Sequence, residues 1–176
     1  TFNEINLLFR NKNFRLYFSD DIIGCQLGGA LKNIYAIAVG ITIGLNLGEN
    51  AKSALISRSF AEIIKFANLM NAKPQTIFGL SGLGDLILTC NSLKSRNTSF
   101  GQFIGSHKKI DISDYLKTLE TTEGYYTVKA VHEISFEKNI NMPITEAVYN
   151  ILYNNSSITD EINTLLNRPA TKEFID

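Results

Sequence analysis

The stretch from Leu27 to Leu47, LGGALKNIYAIAVGITIGLNL, constrains the fold more than any other part of the chain. Its only charge is Lys32. About 20 apolar residues are enough to cross a bilayer as a helix. Lys32, Asn33, Thr42, Asn46 and several glycines fit that role poorly. A helix that is apolar all round is otherwise one buried on all sides by protein. Asp20 or Asp21 can cap its start, and the pattern runs to about Gly44. Along it lie Gly24, Gly28, Gly29, Ala30, Ala36, Ala38 and Gly40. Each interior glycine costs about 1 kcal/mol relative to alanine. Their number implies that close helix packing, or a ligand, requires the room.

The remaining segments must therefore wrap this helix. FRLYF, residues 14–18, is the one strand candidate. Asn50 can cap a second long helix to about Asn71, with Ile56, Phe60, Ile63, Ile64 and Ala67 on one face. Pro74 suits the first turn of a short helix. Further helices are expected from Gly82 to Cys90, after a cap at Ser95, and from Asp111 or Ser113 to Leu119. Gly124 to Lys138, Pro143 to Tyr153 and Thr159 to Leu166 complete the set. The pattern predicts an all-α, compact multi-helix domain around a long buried central helix. The chain has 176 residues, enough for one domain with a sizeable core. Its 17 basic and 17 acidic residues cancel, which excludes an electrostatic nucleic-acid binder. Two cysteines, Cys25 and Cys90, are too few for a disulfide framework and point to a reducing cytoplasm. His107 and His132 lack partners at metal-ligand spacing, so no metal is expected.

Three places carry candidate chemistry. A lysine inside an apolar helix loses hydration, which favours its neutral form and makes it a competent proton acceptor. Lys32 fits that description, and it fits equally a lysine whose stem is buried while its head reaches water. Asp85 follows the glycine turn GLSGLG at a helix start. There it complements the helix dipole, or accepts a hydrogen bond from a polyol or from Lys32. Ser95-Arg96-Asn97 joins a capping hydroxyl and free backbone N–H groups to a planar guanidinium, a combination suited to phosphate.

The segments GGALKN, NAKSALISR, GLSGLGDLILTC, SRN, EGYYTVKAV and MPITEAVY occur in one order along the chain. Together they resemble the bacterial NAD(P)-dependent sn-glycerol-3-phosphate dehydrogenase family, in its C-terminal, substrate-binding half. The resemblance implies a helical domain like the C-terminal domain of 6-phosphogluconate dehydrogenase. It implies that residues 1–19 are the last helix and strand of a Rossmann-type domain outside the chain, and that residues 20–176 are the substrate domain. That the first residue is Thr agrees with a chain beginning inside a longer protein. The reaction implied is interconversion of dihydroxyacetone phosphate and sn-glycerol 3-phosphate with NAD or NADP, in the cytoplasm. By the same resemblance Lys32 is the proton acceptor and Asp85 orients lysine and substrate. Ser95, Arg96 and Asn97 clamp the phosphate and polyol, while Arg96, Thr121 and Glu123 touch the cofactor. The implied partners are the small-molecule substrate and a second copy in a homodimer, without nucleic acid or a membrane span. The alternative is a helical dimerisation or small-phosphate-binding module with no activity of its own.

Overall fold

A computed structural model describes residues 1–107, 112–118 and 121–170. Among them the regular elements are all helical: α1 (Phe2–Phe9), α2 (Ile22–Gly44), α3 (Glu49–Leu69), α4 (Pro74–Phe78), a single π-turn (Leu80–Gly84), α5 (Asp85–Cys90), α6 (Arg96–Ser106), α7 (Ile112–Lys117), α8 (Glu123–Glu137), α9 (Pro143–Tyr153) and α10 (Ile158–Leu166). Of the expected boundaries near α7, Asp111 and Leu119 lie outside the described residues, and Ser113 falls inside the helix.

The apolar run does form the central helix. Asp21 caps α2 by accepting from Gly24 N at 2.9 Å. Its second oxygen accepts from Lys73 N at 2.8 Å, which ties the helix start to the start of α4. Leu31, Ile34, Tyr35, Ala36, Ile37 and Val39 are fully buried. Helix α2 is long and apolar enough to cross a membrane, but here its middle is enclosed by protein. Helices α3, α5, α6, α8 and α9 surround it.

The glycines set how near those neighbours come. A Cβ on Gly40 would stand 2.2 Å from Thr98 O, and one on Gly101 would stand 2.1 Å from Ile37 O. Helices α2 and α6 therefore meet backbone to backbone, with no side chain between them. A Cβ on Gly28 would likewise strike Ser81 O of the π-turn at 2.0 Å. The glycine turn is thus tight because it lies against α2. Gly48 starts α3 with φ +87, a conformation glycine adopts without strain. The expected cap at Asn50 is displaced for that reason: Asn50 is already inside the helix.

FRLYF is not a strand. Its only pairing is one bridge between Phe14 and Asn11, and the described residues hold no second strand to accept the remaining N–H and C=O groups. The segment and α1 form an exposed arm, with Leu7, Leu8, Tyr17 and Phe18 open to solvent.

The sequence pattern gave no hint of Glu62. It lies on α3, on the buried face, with 3% of its surface exposed. Its carboxylate accepts from Ile144 N at 2.6 Å, Thr145 N at 3.1 Å, Thr145 Oγ1 at 2.9 Å and Tyr35 OH at 3.2 Å. Helix α9 begins at Pro143 after Met142, which has no capping side chain, so Glu62 caps α9 from another helix. Burial pushes the Glu62 carboxyl above its ordinary value of 4.5, opposed by these hydrogen bonds. A carboxyl raised in the folded state contributes stability below the unfolded pKa and loses it as pH rises through the folded one. Wild-type stability in urea should therefore carry a component that increases as pH falls from neutral towards 4.5. Glu62→Gln should lack that component and leave one backbone N–H unpaired, at a cost of about 1–3 kcal/mol at neutral pH. Parallel pH profiles for the two proteins would contradict this assignment.

Candidate active site

Lys32 lies on α2, at the edge of its buried stretch. The π-turn pressed onto Gly28 delivers Asp85, the first residue of α5, to the same place. Lys32 Nζ donates to Asp85 Oδ2 at 2.5 Å, and both side chains are partly buried. Asp85 Oδ1 also accepts from Thr89 Oγ1, one helical turn on, at 3.4 Å. The lysine is thus held by an anion whose own backbone is fixed where the π-turn runs into α5.

A second group of polar side chains continues from the next residue of α2. Asn33 Nδ2 donates to Glu123 Oε2 at 3.1 Å, and Asn33 Oδ1 accepts from Asn97 Nδ2 at 2.9 Å. Asn97 Oδ1 accepts from Gly124 N at 2.9 Å. A Cβ on Gly124 would stand 2.6 Å from Asn33 O, so the start of α8 sits directly on α2. Arg96, the first residue of α6, lies 3.9 Å from Glu123 Oε1 at the exposed rim. Ser95 caps α6 by accepting from Thr98 N at 3.3 Å. The junction of the π-turn and α5 thus reaches α2 at Lys32, and the starts of α6 and α8 reach it at the next residue, Asn33.

Of the residues expected from the sequence, Lys32, Asp85, Ser95, Arg96, Asn97 and Glu123 all belong to this assembly. Thr121 is exposed, two positions before Glu123. Asn97 is 7% exposed, and its amide is spent on Asn33 and Gly124. Three further participants were missed. Asn33 is a second polar residue in an apolar run, Thr89 stands at i+4 from Asp85, and Gly124 is a helix-start glycine without a positive φ. The first two were readable from helical spacing.

The two cysteines stay outside this chemistry. Burial pushes the Cys90 thiol up to about 12, which keeps it protonated and unreactive. His107 is exposed, with Nδ1 2.8 Å from Phe103 O, and His132 stacks on Tyr149 at 3.8 Å.

Fold and site together define a class: an all-helical domain with an amine–carboxylate pair in its wall and a guanidinium at its rim. The chain belongs to the family of NAD-dependent glycerol-3-phosphate dehydrogenase C-termini, whose family model matches residues 21–163. It is 46% identical over 173 residues to the glycerol-3-phosphate dehydrogenase [NAD(P)+] of Lactobacillus helveticus, covering 97% of this chain and 50% of that protein. With the Bacillus subtilis enzyme of the same name the identity is 44% over 174 residues, 98% of this chain and 50% of that one. The crystal structure of glycerol-3-phosphate dehydrogenase from Coxiella burnetii superimposes with a TM-score of 0.87 at 37% identity, over 94% of this chain and 51% of that chain. The chain therefore spans about half the length of the relatives it matches.

The Asn97 amide links three helices, so its removal has a defined consequence. Asn97→Ala should leave Gly124 N and Asn33 Oδ1 without partners, costing about 1–3 kcal/mol in urea unfolding. It should also raise hydrogen exchange at the Gly124 amide. Unchanged exchange there would mean that α8 is held by other contacts.

Proposed function

We propose that this chain is the substrate-binding half of an NAD(P)-dependent glycerol-3-phosphate dehydrogenase that interconverts dihydroxyacetone phosphate and sn-glycerol 3-phosphate. The observation that carries the reading is the Lys32–Asp85 contact, joined through α2 to the Asn33–Glu123–Arg96 chain. It supports reading the amine as the proton donor and Arg96 as the phosphate fork of one site.

Reduction of a ketone leaves an oxygen that needs a proton. Lys32 supplies it to the C2 oxygen, and in the oxidative direction takes it from the C2 hydroxyl. Asp85 holds the amine in place, and Thr89 holds Asp85. Arg96 receives the phosphate as a planar fork beside the start of α6. The Ser95 hydroxyl, which accepts from Thr98 N, keeps its proton to donate to the same group. Asn97 acts by fixing Asn33 and the start of α8. The cofactor, NAD or NADP, supplies or accepts the hydride. The donor set suits it: Arg96 and Glu123, 54% and 60% exposed, offer a cation and an acceptor at the open rim. Thr121, exposed two residues before Glu123, is offered to the same cofactor.

The rest of the relatives' length is room for a dinucleotide-binding domain, and residues 1–19 are the arm that docks on it. The exposed Leu7, Leu8, Tyr17 and Phe18 support this, since an apolar surface of that kind marks an interaction site. Helix α2 acts as a core helix rather than a membrane span, which supports a cytoplasmic enzyme.

Two substitutions in the full-length protein test the assignment. Lys32→Met should lower kcat for dihydroxyacetone phosphate reduction by about 10²–10⁴-fold, with the circular dichroism spectrum retained. Turnover near the wild-type value would remove Lys32 from the mechanism. Arg96→Ala should raise KM for the phosphorylated substrate, and Arg96→Lys should recover only part of it, because a point charge cannot replace the fork. A lysine variant indistinguishable from wild type would argue against a bidentate clamp.

A further inference from the structure

Glu123 occupies an unusual position for an acidic residue beside a phosphate subsite. It is the first residue of α8, and the Gly124 N–H to Asn97 contact brings that helix start against the start of α6. From there its carboxylate addresses two donors at once. Oε1 lies 3.9 Å from the Arg96 guanidinium, and Oε2 accepts the Asn33 amide at 3.1 Å. The first is the group a phosphate at this rim would use; the second, buried, anchors the carboxylate.

We propose that Glu123 is an internal counter-anion of the phosphate subsite, which a ligand phosphate must displace from Arg96. The inference rests on Arg96 being the phosphate clamp, as argued above. A carboxylate and a phosphate a few ångströms apart repel, so the two cannot share the fork without loss. Displacement is feasible because Glu123 and Arg96 are 60% and 54% exposed, and exposed ion pairs are weak. The Glu123 side chain can leave Arg96 and still be hydrated.

The arrangement has two effects. It gives the subsite a threshold, since an anion must compete with a carboxylate already in place. It also couples the subsite to any second ligand that offers Glu123 a hydrogen-bond donor. A ligand that draws the carboxylate away releases Arg96, and by linkage phosphate then favours that ligand by the same factor.

The test is titration of the protein with inorganic phosphate by calorimetry, using wild type, Glu123→Gln, Arg96→Ala and the double variant. Glutamine keeps an acceptor at this position and removes the charge. Glu123→Gln should bind phosphate about fivefold more tightly, the effect of one charge at about 4 Å in a largely aqueous setting. The gain should shrink as salt approaches about 1 M, where the screening length falls to about 3 Å. Arg96→Ala should weaken binding, and the gain from Glu123→Gln should be smaller in the Arg96→Ala background. If Arg96→Ala weakens binding while Glu123→Gln leaves it unchanged or weaker, the counter-anion role is wrong and the phosphate clamp stands. An undiminished gain in the Arg96→Ala background overturns it equally, because the charge then acts without regard to Arg96. If Arg96→Ala has no effect, the clamp itself fails and the inference fails with it.

Discussion

Everything in this domain depends on how closely other backbones approach α2. A helix buried on all sides can be packed through side chains, which keeps its neighbours 8–10 Å away axis to axis. Here the glycines remove that spacing on two faces. Helix α6 lies against Gly40 with its own Gly101, and the π-turn lies against Gly28. The second approach delivers Asp85 to Lys32, and the first aligns the start of α6 with Asn33. The glycines cost helix propensity, and the contacts they permit decide where the polar groups stand.

Two buried polar centres hold the rest, and they solve different problems. Glu62 gathers four donors from α2 and α9 in a dry interior and substitutes for a missing local cap. Asn97 both gives and accepts, so it can lie between a side-chain oxygen and a backbone N–H. An amide suits the second place because it carries both a donor and an acceptor. A carboxylate suits the first because every fixed neighbour there is a donor.

Much of the architecture was legible in the residues. The long apolar run, the Asp21 and Ser95 caps and the prolines at 74 and 143 mark helices at the places they occupy. The all-helical class follows from periodicity. FRLYF misled because strand character in five residues says nothing about whether a partner strand exists. The start of α3 was misplaced because Asn50 is a good capping residue by type, while the backbone turns at Gly48. Lys32, Asp85 and Arg96 were identifiable by chemistry, and an Asp85 bond to Lys32 was among the readings, but the geometry that brings those two together was not. It depends on glycine contacts between segments far apart in sequence, and no local pattern encodes them. Glu62 was invisible for a related reason: an acid in a helix reads as a solvent-facing residue unless its distant donors are known.

The backbone contacts also determine where this domain can accept a different side chain. On the faces of α2 that touch α6 and the π-turn there is no room for even a methyl group, so substitutions there must disturb the frame that carries the lysine. The rim at Arg96 and Glu123 is open and tolerates different side chains without moving that frame. Room for substitution therefore lies at Arg96 and Glu123, the first residues of α6 and α8. Lys32 stands on the frame itself, so an effort to alter the site would begin at the rim.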